Sequence, residues 1–147
     1  MMAEFSRHEE RIIALQLLYA LDIREELEPG RAAEQIIKTK KRKDLNEDKN
    51  YYFEVLVKGA VENRGRLDEV IDKQAQDWTL ERTACIDRNI LRIALFEIEG
   101  GKVPPIVAVD EAVELAKEYG SDKSPSFING LLSQHKIVSK KGSGQEG

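Results

Sequence analysis

The sequence predicts an all-α fold. Three observations lead there. Glu, Lys, Leu and Ala are abundant and prolines number four, a composition that favours helix. Apolar residues recur at spacings of three and four along most of the chain. The one stretch with strand-like composition, Ile106 to Val109, has four residues and no partner with which to form a sheet.

Each element follows from local signals. Ser6 caps a first helix, and Glu9 three residues later completes a Ser-x-x-Glu capping box. Ile12, Leu15, Tyr19 and Ile23 then mark one apolar face. Glu28-Pro29-Gly30 ends that unit, and Arg31 to Lys41 forms a second helix burying Ala32, Ile36 and Ile37. The basic run of Lys38, Lys40, Lys41, Arg42 and Lys43 suits the negative end of its dipole, with a binding patch as the alternative. Asn46 is a candidate cap for a third helix, in which Tyr52, Val55, Leu56 and Gly59 recur. Leu67, Val70 and Ile71 make a shorter amphipathic turn or two, and Trp78 is a core plug. Cys85 to Ile98 is apolar around most of its circumference and reads as a central helix packed on several sides, stopped by Gly100-Gly101. Pro104-Pro105 begins an extended lead-in, and Asp110 caps a helix with Ala112, Val113, Leu115, Ala116 and Tyr119 on its apolar side. Gly120 stands where a left-handed terminator belongs. Ser124-Pro125 starts a last helix running to about Ile137, and Lys140 to Gly147 reads as a flexible tail.

A chain of 147 residues has the size of one domain. Its 23 Lys+Arg and 27 Asp+Glu give a net charge of −4, which argues against coating nucleic acid by bulk charge. With 41% hydrophobic and 34% charged residues, a packed interior is expected and disorder is not. Cys85 is the sole cysteine, so neither an internal disulfide nor a CxxC metal site can form, and a reducing cytoplasm fits. Ile12 to Leu21, ten uncharged residues, falls short of the roughly 18–20 that a membrane span needs. No secretory signal pattern opens the chain. A soluble cytoplasmic domain is the expectation.

Catalytic chemistry is hard to assemble from these residues. The two histidines, His8 and His135, stand near opposite ends of the sequence in charged helical turns and read as surface groups. Cys85 lies in the most apolar segment, where a small buried thiol is ordinary. Asp110 and Glu111 point in different directions on a helix, Gly142-Ser143-Gly144 lacks the lysine and following helix of a phosphate loop, and neither zinc nor calcium spacing is present. No enzyme, metal or cofactor is expected.

Binding remains. Arg7, His8 and Arg11 lie within about one helical turn, so the arginines could track phosphates while His8 stacks or donates. Glu9 and Glu10 interrupt this patch, and a solvated helix start is the plain alternative. Ser124, Ser126, Phe127 and Asn129 put an aromatic ring and small hydrogen-bonding groups at a helix N-terminus, which attracts phosphates. Phe127 is either a base-stacking ring or core.

Three blocks, DRNILRIALFEIE, VPPIVAVDEAVELAKEYG and SPSFINGLLS, follow one another between Asp87 and Ser133. Their order and spacing resemble the NusB family of bacterial transcription antitermination factors, and Arg11 to Tyr19 extends the resemblance to the first helix. The segment from Arg24 to Asn50 is the least diagnostic. The resemblance implies an all-helical fold of about seven helices in two small packed bundles, with residues 1–139 as the RNA-binding domain and 140–147 as a tail. It also places Asn129-Gly130 inside the last helix rather than at a turn, the glycine allowing a close backbone approach.

What the resemblance implies for function is binding of the boxA element of nascent ribosomal RNA, a single-stranded target, together with NusE, a ribosomal small-subunit protein. The pair joins other Nus factors on RNA polymerase in an antitermination complex. Carried onto this chain, the RNA surface comprises Arg7, His8 and Arg11 at the first helix, and Lys123, Ser124 and Phe127 at the last. His8, Glu9 and Glu10 stand where the family commonly has basic residues, and Lys123 stands where it often has an acidic one. Asp87 falls where the family contacts NusE. One of Arg88 and Arg92 is expected to pair with a carboxylate. Two arginines and one lysine on phosphates give a salt slope of about −2, shallow enough that a basic partner must complete the surface. Three other readings stay open on the sequence. A domain of this family is also fused to a ribosomal RNA cytosine methyltransferase, but a chain ending at Gly147 leaves no room for that enzyme. A protein-only adaptor would keep NusE and lose RNA. Homodimerisation, as in some relatives, would hide the RNA face.

Overall fold

The structure, a computed structural model, describes residues 4–75, 83–135 and 137–138. Trp78 and the tail from Lys140 to Gly147 lie outside the described residues. Among those described there are seven α-helices and no strand, in two compact units, Met1–Glu62 and Asn63–Gly147.

The first unit holds α1 (Arg7–Ile23), α2 (Pro29–Thr39) and α3 (Tyr52–Glu62). The capping box forms as expected: the Glu9 N–H donates to Ser6 Oγ at 3.0 Å and Ser6 N–H to Glu9 Oε1 at 2.8 Å. The buried stripe of α1 is rotated from the expected one. Ala14, Leu18 and Leu21 are buried with Ile13, Leu15 and Leu17, whereas Tyr19 and Ile23 are exposed and Ile12 is half-buried. With apolar residues at nearly every position from Ile12 to Leu18, spacing alone admits several faces, and packing against α3 selects one. The stop is also different. Glu25 adopts φ 59°, the Glu25 N–H bonds the Asp22 carbonyl at 3.0 Å and the Glu26 N–H bonds that of Leu21 at 2.7 Å. That is a Schellman ending carried by a residue other than glycine. Pro29 opens α2 rather than separating it from α1, since a first-turn position has no helical partner for the N–H that proline lacks. Ala32 and Ile36 are buried but Ile37 is exposed. Asn46 does not cap α3. Its Oδ1 accepts the Asp48 N–H at 2.9 Å in the preceding loop, and α3 buries Phe53, Leu56, Val57 and Ala60 while Val55 faces out.

The second unit holds α4 (Arg64–Ala75), α5 (Cys85–Gly100), α6 (Pro105–Tyr119) and α7 (Ser124–Ser133). The expected turn or two around Leu67 is a full helix of 12 residues, with Leu67 and Ile71 inward and Val70 half-buried. As expected, α5 is central, packing against α4, α6 and α7, and Gly101 terminates it in the left-handed region at φ 74°. Of the two candidate arginines, Arg92 makes the structural pair. Its Nε and Nη2 donate to the Asp68 carboxylate at 2.8 and 3.0 Å, and Nη1 donates to Asn89 Oδ1 at 2.8 Å. Cys85, expected to be buried, begins α5 half-buried.

The strand-like Ile106 to Val109 is helical, and Asp110 lies within α6 rather than at its cap. Pro105 in the first turn nucleates this helix, and Ala108, Ala112, Leu115 and Ala116 bury its inner face, leaving Val113 half-buried and Tyr119 exposed. Gly120 ends α6 in extended rather than left-handed backbone. A glycine is required there because a Cβ would stand 2.5 Å from Ser124 Oγ and 2.9 Å from the Ala116 carbonyl. Asn129-Gly130 falls inside α7, as the resemblance implies, yet nothing lies within 4 Å of where a Gly130 Cβ would be. Close packing therefore does not explain that glycine. His135, expected on the surface, is buried: the ring Nε2 lies 3.3 Å from Glu99 Oε2, and Nδ1 accepts the Ile137 N–H at 3.2 Å. Among the described residues no helix is long and apolar enough to cross a membrane, and no His, Cys, Asp and Glu cluster could hold a metal.

Candidate nucleic-acid interface

In the first unit the first turns of α1 and α3 meet. Four N–H groups at a helix start lack partners within the helix, and α3 borrows one acceptor from α1. The Phe53 N–H donates to Glu10 Oε1 at 3.0 Å, and Glu54 Oε2 accepts the Tyr51 N–H at 2.8 Å. Glu10 is 7% exposed, so it is a structural pin rather than a surface charge. Its other oxygen lies 3.8 Å from Arg7 Nη1. Glu9 is spent on the capping box. Glu10 therefore does not interrupt the basic patch in the way that the linear order suggests, while Glu9, tied into the capping box, stays exposed beside it.

The expected cations divide. The Arg7 side chain is 64% exposed, with its guanidinium carbon 4.0 Å from the centre of the Tyr52 ring. Arg11, expected beside it on the phosphate surface, is 4% exposed and lies 5.9 Å from the same ring. An apolar-flanked helix face carried it inward, beside Tyr52. His8 is half-buried. The basic run after α2 is partly consumed by structure. Lys40 Nζ bonds Glu54 Oε2 at 3.0 Å in a nearly buried pair, and Arg42 forks onto Asp44 at 3.0 and 2.6 Å, a hydrogen bond that holds the Asp44 carboxyl below its ordinary range. Lys38 closes the last turn of α2, as the dipole reading expects, and stays exposed with Lys41 and Lys43.

In the second unit the first turn of α7 gathers Lys123, Ser124 and Phe127. Lys123 is the exposed N-cap residue, and Phe127 is half-buried. Ser124, expected both as the cap and at the RNA surface, is instead the first helical residue and 2% exposed. Its hydroxyl accepts the Ser121 N–H at 2.9 Å, which folds the α6–α7 turn back onto α7. Asp87, in the first turn of α5, is 8% exposed, and its Oδ1 is buried without a hydrogen-bond partner. Burial pushes its pKa up, against a smaller lowering by a Ser124 hydrogen bond.

Two functional-looking groups escaped the sequence reading: Tyr52, assigned to an apolar stripe, and Glu10, counted as a repelling charge. The aromatic triplet Tyr51-Tyr52-Phe53 was the available signal for the first. Nothing local marks the second, because its partner is 43 residues away.

Comparison with known proteins places these features. The model of the NusB family matches residues 8–136. The transcription antitermination protein NusB of Halothermothrix orenii is 53% identical over 131 residues, which cover 89% of this chain and 96% of that protein. Among solved structures, T. maritima NusB superposes with a TM-score of 0.74 at 28% identity, covering 94% of each chain. A structure of the antitermination factors NusB and NusE in complex with dsRNA gives 0.69 at 28% identity, covering 92% of this chain and 98% of that one. A family match that runs from the first turn of α1 to beyond the end of α7, joined to a relative identical at more than half its positions, leaves one assignment: the chain belongs to the NusB family.

Proposed function

We propose that this chain is a non-catalytic transcription antitermination factor that works in the cytoplasm. It binds boxA-type single-stranded RNA of nascent ribosomal RNA transcripts together with NusE and tethers that RNA to RNA polymerase in company with other Nus factors. The observation that carries the reading is a solved family member held with NusE and dsRNA, whose fold this chain shares over nearly its whole length; the single-stranded target is our extension of it. Tethering needs no bond-making chemistry: holding the transcript near polymerase raises the effective concentration of the next contact.

The geometry supports weak binding by this chain alone. With Arg11 buried, Arg7 and Lys123 are the expected cations left for phosphates, and two such contacts give a salt slope of about −1.4 on a single strand. Phe127, half-buried at the start of α7, offers ring surface to a base. The orphaned Asp87 Oδ1 supports a NusE contact, since a donor from a partner would satisfy the one carboxylate oxygen that lacks a hydrogen bond. An electrophoretic shift of boxA RNA with and without NusE tests the proposal. Affinity is expected to rise sharply with NusE, and equal affinity in both lanes refutes a shared reader.

Burial of Arg11 and Ser124, two of the six expected RNA contacts, favours a second reading in which the chain is a protein-only adaptor. Arg7→Ala separates the two. If NusE still binds and RNA affinity of the pair is unchanged, the adaptor reading holds.

A further inference from the structure

Tyr52 begins α3, and two arginines of α1 approach its ring in different ways. Arg11 is buried and stays 5.9 Å from the ring centre, whereas the exposed Arg7 lies closer, at 4.0 Å. The backbone that carries the ring does not depend on Arg7 for its place. It is tied to α1 by the Glu10–Phe53 bond of the next residue, and the next two residues bury Phe53 and hold Glu54 against Lys40. Tyr52 itself is half-buried, and the cation over its ring belongs to an exposed side chain.

We propose that Tyr52 is a base-stacking residue whose ring face is occupied by Arg7 until RNA arrives. An unpaired nucleobase then takes the ring face, and the displaced guanidinium moves onto a neighbouring phosphate. This rests on the RNA-binding reading above and adds a stacking site to it. The exchange is favourable on general grounds. An exposed cation over an aromatic ring is weakly held because water competes for the cation. A base presents a flat π-face that stacks whatever its identity. The released guanidinium gains a charge-assisted, forked contact with phosphate oxygens. The ring contact of Arg7 and its exposed, loose pairing with Glu10 at 3.8 Å give way to two intermolecular contacts, on a helix start that the Glu10–Phe53 bond has already set.

The test is titration of labelled single-stranded boxA RNA into the full chain with NusE, over a range of salt, for wild type, Tyr52→Leu, Tyr52→Phe and Arg7→Ala. Tyr52→Leu is expected to weaken binding about 5- to 150-fold, the equivalent of losing one stacked base, with the salt slope unchanged. Tyr52→Phe keeps the face and stays within about twofold of wild type. Arg7→Ala is expected to reduce the slope by about 0.7. Unchanged affinity in a folded Tyr52→Leu protein overturns the proposal. So does a loss of affinity in which the slope falls as it does in Arg7→Ala, which would make the ring a mere perch for the cation. Photocrosslinking of wild type with 5-iodouridine placed at each RNA position in turn decides the matter if Tyr52→Leu does not fold: a crosslink at Tyr52 supports stacking, and crosslinks elsewhere with none at Tyr52 refute it. Failure of wild type with NusE to bind any of these RNAs strikes the broader functional reading instead.

Discussion

Replacing Glu10 with alanine removes a carboxylate beside the exposed Arg7, and charge counting predicts tighter RNA binding and an undisturbed fold. The geometry predicts the reverse. Glu10 Oε1 is the acceptor for the Phe53 N–H at 3.0 Å, in a place where the carboxylate is buried and the Phe53 side chain fully so. Leaving a buried N–H without its acceptor costs about 1–3 kcal/mol. The loss also counts as removal of a helix cap, about 1 kcal/mol, which overlaps with the first figure rather than adding to it. A net destabilisation of about 1–3 kcal/mol follows, and for a chain of this length it lowers the melting temperature by roughly 3–10 °C. Glu10→Gln keeps an oxygen acceptor and loses the charge, so about half that shift is expected. Glu9→Ala, which opens an exposed capping box, should cost no more than about 1 kcal/mol. Thermal and urea denaturation give the global figure, and amide exchange at Phe53 reads the pin directly. RNA affinity in the presence of NusE should fall with Glu10→Ala despite the added positive charge. A melting temperature unchanged by Glu10→Ala, unprotected Phe53 exchange already present in wild type, or tighter RNA binding would each refute the reasoning.

The second unit supplies two further expectations. Gly120→Ala should destabilise by about 2 kcal/mol or more, because its Cβ meets the Ser124 side chain and the Ala116 carbonyl, whereas Gly130→Ala in open helical space should stabilise by about 1 kcal/mol; urea midpoints of the two variants moving in the same direction would contradict this. Burial holds the His135 imidazole below its ordinary 6.5, and the Ile137 N–H occupies Nδ1, the nitrogen that would take up the proton. As pH falls below 6.5 the unfolded chain takes up the proton first, so this contribution is complete above 6.5 and is lost as pH descends towards the native pKa. Urea midpoints measured from about pH 7 to about pH 5 should therefore decline more steeply for wild type than for His135→Gln, and parallel profiles would refute the assignment.

Much of the fold was legible because helix signals are local. The Ser6–Glu9 box, the Gly101 stop and the apolar girth of α5 need no knowledge of neighbours. Failures came where two local rules compete. Ile106 to Val109 carries β-branched residues, yet Pro105 sets the helical φ and Ala108 and Ala112 give α6 a small inner face against α5 and α7. The α1 stripe was misphased because leucines and isoleucines occupy more than one face. The candidate site was less legible, since its geometry depends on residues distant in sequence. Arg11 reads as basic surface until Tyr52, far along the chain, is brought to its side. Ser124 reads as a cap until the Ser121 N–H turns back to it. Tyr52 itself looks like any half-buried helical tyrosine before α1 and α3 are joined by Glu10.

The formal charge of −4 describes an aggregate that an approaching polyanion never meets. Among the described residues Glu10, Glu54, Asp87 and Glu97 are withdrawn from solvent, against the arginines at 11 and 92, so the interior holds more anionic than cationic side chains. Burial leaves the net charge unchanged, and it is salt that screens the far-field repulsion of a transcript. Within a screening length of about 8 Å at physiological salt, the strand responds to whichever cations stand nearest, and isoelectric point ceases to be a guide to what this protein attracts.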